Sequence, residues 1–316
     1  MNVGDIRIGV VTAWPEVDWH SERLLAACGR RAEAVAIDPA LLAARVHPER
    51  IEVLAGALPA AGFDAFLLAR GLGQGGDADV QFEVYRALEA IGSVVVNRLE
   101  PLLAAQDKFR TSWLLAWAGV PTPRAAVAQT REDAEEALAT LADAVAKPVA
   151  GSLGEGVERV RADAAGRRLV RERVARDGAV YLQAWVPHPG RDLRVFVVGG
   201  SARAAITRHA PPGEWRTNVA RGSRSEPARL DGALAGVAEA AAGALGLDYA
   251  GVDLVAGPDG PVVLEVNGNP SWQGILEATG LDMAEAIAEH VLGRALRRRQ
   301  ASDHIVRGRT TGAIHG

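Results

Sequence analysis

Over the first hundred residues, short apolar runs alternate with longer stretches of helical periodicity. Residues 6 to 11 read as a buried strand and 20 to 30 as an amphipathic helix; 34 to 37, 64 to 69 and 93 to 96 read as further strands. A second helix is predicted over 80 to 91, with Val80, Val84, Leu88 and Ile91 on one stripe. Strands separated by helices predict a parallel α/β sheet. The loop Arg70-Gly71-Leu72-Gly73-Gln74-Gly75-Gly76-Asp77 follows one strand, at the carboxyl end of the sheet where such folds bind ligands. Its glycine spacing is not that of a dinucleotide fingerprint.

Past residue 100 the pattern changes. A helix is expected from Pro101 to about Ala118, with Leu102, Leu103, Trp113, Leu114 and Trp117 as its apolar positions, stopped by Gly119 and the prolines at 121 and 123. Residues 132 to 142 read as a helix, and strands at 144 to 149 and 180 to 186 lie on either side of a glycine-rich stretch. Strands at 193 to 198 and 202 to 208 flank Gly199-Gly200 as a hairpin. Asp231 opens a helix through Leu234, Val237, Ala238, Ala241 and Leu245, and Asp282 N-caps a last helix over 283 to 299. Its terminal Arg297-Arg298-Arg299 looks like an RNA-binding run, but cations suit a helix C-terminus equally well. A disordered tail is expected over 297 to 316.

Composition narrows the function classes. The 316 residues are 48% hydrophobic and 23% charged, which excludes a disordered or fibrous chain and exceeds one small domain. A net charge of −4 argues against a dedicated nucleic-acid binder. Cys28 is the only cysteine, so a disulfide framework and a cysteine-ligated zinc site are out, in keeping with a reducing compartment. No apolar run approaches the ~20 residues of a membrane span, and the N-terminal MNVGDIRIGVV lacks a signal-peptide pattern. A soluble cytoplasmic multidomain protein, not bound to membrane, is expected.

The strongest local signal is the segment from Gly251 to Asn267. Pro258 and Gly260 suit a three-residue hairpin loop, which sets Gly257 opposite Pro261 and hence Asp253 opposite Glu265. Asn267 falls on the same face, while Val252, Leu254, Val262, Leu264 and Val266 fall on the other. Facing carboxylates repel by a few tenths to ~1 kcal/mol, and a hard dication between them reverses the sign. A solvated acidic face on an edge hairpin is the alternative. Lys147, at the end of an apolar strand, precedes Pro148-Val149-Ala150-Gly151-Ser152-Leu153-Gly154-Glu155-Gly156. Such glycines let backbone N–H groups approach an anion, although a flexible hairpin loop has the same composition. The lysine precedes the glycines, which is the reverse of a Walker A loop.

Taken in order, several stations resemble the RimK-like carboxylate–amine ligases of the ATP-grasp superfamily. They are Asn97, Asp107-Lys108, Lys147 with its glycine loop, Tyr181-Leu182-Gln183-Ala184-Trp185-Val186 and Asp192 to Gly200. Arg208, Gly213-Glu214-Trp215-Arg216-Thr217-Asn218, Gly251-Val252-Asp253 and Glu265-Val266-Asn267-Gly268-Asn269-Pro270 complete the set, spanning roughly 95 to 295. The resemblance implies an α/β (α+β) ATP-grasp fold: an N-terminal parallel domain over 1 to 97, a central ATP-grasp domain over 98 to 185 and a C-terminal one over 186 to 296.

It also implies site roles. Lys108, Lys147, Gly151, Ser152, Gly154 and Gly156 would meet the phosphates of ATP, and Gln183, Ala184, Trp185 and Asp192 the rest of the nucleotide. Relatives usually carry Glu where this chain has Ala184, so no side-chain contact is expected there. Asp253, Glu265 and Asn267 would hold Mg²⁺ or Mn²⁺, two ions in all, and Arg208, Arg216 and Asn218 would be catalytic near the γ-phosphate. The implied reaction is ATP-dependent: a carboxylate acceptor forms an acyl phosphate, which an amine, L-glutamate in much of the family, converts to an amide. The stretch 271 to 280 looks like the branch that adds glutamate to coenzymes such as tetrahydromethanopterin, as against protein or peptide ends. Trp272 is a candidate for stacking on a substrate ring or for core packing, and Arg70 for a substrate carboxylate or a surface salt bridge. A peptide-modifying ligase and a non-catalytic ATP-binding regulator are the competing readings, and a homo-oligomer is compatible with all three. His209, beside Arg208, is a candidate or an ordinary loop residue.

Overall fold

The early alternation of apolar runs and helices folds as a parallel sheet. Its elements are β1 (Arg7–Thr12), α1 (Trp19–Gly29), β2 (Glu33–Ile37), β3 (Leu42–His47), β4 (Arg50–Ala55), β5 (Leu58–Pro59), β6 (Ala65–Arg70), α2 (Ala78–Ala90) and β7 (Val94–Val96). The computed structural model describes residues 6–148, 156–217 and 224–311. Strand order is β2-β1-β6-β7, all parallel, so the chain order reverses between β1 and β6. Asp18 and Asp77 start the helices, accepting from the backbone N–H of Ser21 at 2.8 Å and of Val80 at 3.0 Å.

Two features here depart from the pattern. Val80 is 60% exposed while Gln81 is buried with Val84, Tyr85 and Leu88. Gln81 turns inward because it satisfies the glycine loop, accepting from Gly73 N and donating to the Gln74 carbonyl, each at 2.8 Å. The separate antiparallel sheet β3-β4-β5 is an addition to the expected elements, and β3 is exposed at every position past Leu42.

The chain divides into two compact units, Met1–Leu99 with Asp282–Gly316, and Glu100–Leu281. The second begins with α3 (Leu99–Gln106) and α4 (Lys108–Trp117). One helix was expected there; Asp107 splits it by capping α4, its carboxylate accepting from Arg110 N at 2.9 Å. β8 (Ala125–Ala128), α5 (Arg131–Leu141), β9 (Asp143–Lys147), β10 (Glu158–Arg161), α6 (Ala164–Asp177) and β11 (Val180–Ala184) follow. Their antiparallel sheet runs β10-β9-β11-β8 and packs Ala144, Val160 and Leu182 against Leu138 of α5 and Val170 of α6.

A second antiparallel sheet, β14-β13-β12-β15-β16, is built from β12 (Arg191–Val198), β13 (Ser201–His209), β14 (Arg224–Pro227), β15 (Tyr249–Gly257) and β16 (Gly260–Asn267). α7 (Gly232–Leu245), capped by Asp231, precedes β15, and α8 (Gln273–Thr279) follows β16.

α9 (Met283–Thr311) belongs to the first unit, not with 186 to 296 where the sequence reading put its start. Met283, Ala284, Ile287, Ala288, Val291 and Ala295 are buried, and the helix packs on α1. Arg23 bonds Asp282 at 2.7 Å, and Arg30 and Arg31 both reach Glu285, Arg31 at 2.6 Å. The tail expected over 297 to 316 is helical as far as Thr311, with Arg299 tied to Asp64; residues 312–316 lie outside the described ones.

Candidate active site

Pairing across the larger sheet of the second unit sets charged side chains in rows. Asp192 and Arg194, two apart on β12, share a face. Asp192 lies opposite Arg208 on β13, and Arg194 opposite Asp253 on β15. Asp253 lies opposite Glu265 on β16. The expected pair is present, but by a different route. The turn has two residues, with Gly257 opposite Gly260, and a bulge at Leu264 restores the register. The bulge also turns Val263 into the core and leaves Val262 and Leu264 half-buried.

These rows form a buried ion-pair chain. Asp253 Oδ1 accepts from Arg194 Nε and Oδ2 from Arg194 Nη2, both at 2.7 Å. Arg208 Nη2 lies 3.0 Å from the same Oδ2. Arg208 also holds Asp192 with both Nε (2.8 Å) and Nη2 (2.5 Å), and the Thr217 hydroxyl donates to Asp192. Burial alone would raise the Asp253 pKa, but Arg194 and Arg208 outweigh it and hold the carboxyl below its usual range. Burial likewise opposes the charge on Arg208, and Asp253 and Asp192 restore it, leaving the guanidinium pKa raised.

Two lysines complete the set. Lys108 is the first residue of α4 and Lys147 the last of β9. Burial lowers both pKa values, partly opposed for each by Glu265, while Lys108 lowers Lys147 further. Gln183, 3% exposed, fixes Lys147: its Oε1 accepts from Nζ at 2.7 Å, and its Nε2 donates to the Leu264 carbonyl at 3.2 Å. One amide thus ties the lysine strand to the acidic hairpin.

Asp253, Glu265 and Asn267 supply oxygen donors, the chemistry that Mg²⁺ prefers. Asn267 Nδ2 is buried with no hydrogen-bond partner. Rotating that amide by half a turn puts Oδ1 in its place, so the site offers an unused acceptor beside the two carboxylates. The residues fit a hard dication.

Comparison with known proteins decides the family. Residues 105–291 match the RimK-like ATP-grasp domain. The chain belongs to the RimK-like ATP-grasp family. Among curated relatives it is 32% identical to a tetrahydromethanopterin:alpha-L-glutamate ligase of Methanosarcina acetivorans, over 90% of this chain and 98% of that protein. It is 35% identical to a probable alpha-L-glutamate ligase of Pseudoalteromonas atlantica, over 66% and 70%. The ATP-grasp ligase PsnB in complex with a minimal precursor shares the fold, with a TM-score of 0.72 at 21% identity, covering 92% of this chain and all of that one. As a member of this family the protein is an ATP-dependent ligase.

Within this RimK-like domain the remaining candidates fall out as follows. Arg216 is engaged on every side: Nε and Nη2 bond Glu214 at 3.0 and 2.6 Å, and Nη1 bonds the Val157 carbonyl at 3.1 Å. That pairing drops the Glu214 pKa to about 2. The backbone N–H groups of Ala184 and Trp185 already donate to the carbonyls of Arg124 (2.8 Å) and Asp143 (3.0 Å), so a base held here would meet other backbone groups. The Trp185 ring packs edge-on to Trp215 at 5.1 Å, beside His188, with the Arg159 guanidinium 4.3 Å above it. Gly156 takes φ +62°, which favours glycine, while Gly151, Ser152, Gly154 and Asn218 lie outside the described residues.

Trp272 is 1% exposed and packs edge-on against Phe196, so it is a core residue and not a stacking platform. His209 pairs with Glu226 at 2.8 Å near the surface. Arg70, in the other unit, lies 3.9 Å from Asp18. Arg194 and Thr217 lie within the stations that carry the resemblance, but neither has an expected role. Strand alternation two residues on from Asp192 would have pointed to Arg194; no local pattern points to Thr217. No described helix is long and apolar enough to cross a membrane.

Proposed function

We propose that this ligase joins the amino group of L-glutamate to the carboxylate of a small coenzyme-like acceptor, in the cytoplasm where ATP is supplied. The observation that carries this reading is the full-length match to a relative named for that type of reaction, over 98% of its length. The cluster of Lys108, Lys147, Arg208, Asp253 and Glu265, with Arg208 and Asp253 buried, supports turnover over a purely regulatory role.

The acceptor carboxylate attacks the γ-phosphorus of ATP and ADP departs, leaving an acyl phosphate. The amine then attacks the acyl carbon, phosphate leaves, and the amide forms with loss of one proton. Lys147, held by Gln183, and Lys108 bind phosphate oxygens. Arg208 has Nε and Nη2 anchored on carboxylates, which leaves Nη1 to face charge developing on the transferred group. Asp253, Glu265 and Asn267 would hold two magnesium ions against the phosphates, supplying charge neutralisation.

The test is a screen of acceptors with L-glutamate and Mg·ATP, read by ADP release and by mass spectrometry for a glutamyl adduct. ADP release coupled to a glutamylated pterin-type acceptor is expected. Release that depends instead on a peptide, or on no acceptor at all, would overturn the choice of acceptor.

A further inference from the structure

Asp253 is gripped more firmly than a metal ligand requires. Both of its oxygens already accept from Arg194 at 2.7 Å, and Arg208 adds a third contact at 3.0 Å. Neither arginine can swing away freely, since their side chains are only 14% and 4% exposed. The grip is set by the fold, because Arg194 lies directly across the β12–β15 ladder from Asp253.

The sign of the surrounding charge matters as much. Lys108, Lys147, Arg194 and Arg208 stand among Asp107, Asp192, Asp253 and Glu265, so cations already match the carboxylates. A dication arriving alone therefore meets oxygen donors whose charge is already neutralised by arginine and lysine. Polyphosphate brings further negative charge, and its oxygens complete the coordination that protein carboxylates leave open.

We propose that Arg194 is a positioning residue that keeps Asp253 from taking up a divalent cation until the nucleotide phosphates are in place, so that metal enters as its nucleotide complex. This rests on Asp253 and Glu265 being the metal ligands. Arg194 fixes the carboxylate's direction and lowers its power as a donor toward a lone ion. Once phosphate arrives, the guanidinium charge is shared with phosphate oxygens and the remaining lone pairs of Asp253 become competent.

The experiment measures Mn²⁺ binding to the full chain by electron paramagnetic resonance, with and without a non-hydrolysable ATP analogue. Arg194→Met and Arg194→Gln, checked for fold by circular dichroism, should bind Mn²⁺ alone at least about tenfold more tightly than the parent, and the enhancement of Mn²⁺ binding by the analogue should shrink by the same factor. Arg194→Lys, which keeps the charge, should stay near the parent. The gain should vanish in Arg194→Met combined with Asp253→Asn. Unchanged or weaker Mn²⁺ binding in folded Arg194→Met or Arg194→Gln overturns the proposal, as does a gain in Arg194→Lys equal to that in Arg194→Met. Should Asp253→Asn and Glu265→Gln each leave Mn²⁺ binding in the presence of the analogue unchanged, the ligand assignment itself fails, which is a separate result.

Discussion

Gln183 offers a sharp test of how the phosphate-binding lysine is held. Replacing it by Met keeps volume and removes both hydrogen bonds. The bond from Lys147 Nζ is charge-assisted at 2.7 Å, and the one to the Leu264 carbonyl is an ordinary amide bond at 3.2 Å. Such bonds contribute about 1.5–3 and 0.5–1.5 kcal/mol, and the side chain is buried, so water does not replace them. A loss of roughly 2–4 kcal/mol in unfolding free energy is expected. Lys147 would also lose the acceptor that helps hold its charge, and burial would push its pKa further down.

Two kinetic effects should follow. KM for ATP should rise about four- to twelvefold if half of the lysine bond's energy is expressed in binding. The alkaline limb of the pH profile of kcat/KM should move to lower pH, because a lysine of lower pKa loses its proton sooner. Gln183→Glu separates the two bonds: it keeps an acceptor for Lys147 but repels the Leu264 carbonyl. That variant should retain ATP affinity and still lose stability. Steady-state ADP release and urea denaturation read both quantities. If Gln183→Met changes neither KM nor the pH limb, the lysine is not positioned through this amide.

Other outcomes are specific to the fold. Burial and the charge of Arg70 depress the His20 pKa to about 4, with Asp18 only partly opposing. The unfolded chain therefore binds a proton that the folded one refuses, and stability should fall as pH drops from about 6.5 toward 4; His20→Gln should flatten that slope in a denaturation series. At Gly166, in the first turn of α6, an added Cβ would lie 1.9 Å from the Arg161 carbonyl oxygen, so Gly166→Ala should cost about 1–3 kcal/mol or more in urea melts. Gly236, exposed within α7 with nothing within 4 Å of its missing Cβ, should respond oppositely, with Gly236→Ala gaining about 0.5–1 kcal/mol. Cys28 is fully buried and its thiol is pushed up to about 12, so a thiol reagent should label it only after unfolding.

What the sequence made legible follows a physical divide. Apolar alternation marked β1, β6, β12 and β13, and the order of motifs marked the ATP-grasp unit. The Asp253–Glu265 pairing was anticipated through two compensating errors, a loop one residue too long and an unforeseen bulge at Leu264. A bulge without glycine leaves no mark in composition, so the residues facing the core in β16 were misassigned. Arg194 was passed over because an arginine inside a strand reads as solvated until its partner across the ladder is known. Asp107 carried a readable cap signal, but the apolar run on both sides masked the break between α3 and α4. In the β3–β5 sheet only β4 buries alternate positions, Val53 and Ala55, a period too short to mark a sheet. Thr217 falls within a matching station, but its role is set by Asp192, 25 positions away, and not by its neighbours.

The return of α9 to α1 bears on how the chain is made. Residues 100 to 281 form an uninterrupted segment, whereas the first unit needs a helix that begins only at Met283. During synthesis, β1 to β7 leave the ribosome long before the apolar stripe that covers α1 exists. The second unit can therefore finish folding while the first still lacks the helix on which α1 packs and the partners of Arg23, Arg30 and Arg31. Such an order makes the N-terminal half the natural client of chaperones and the place where truncated chains would aggregate.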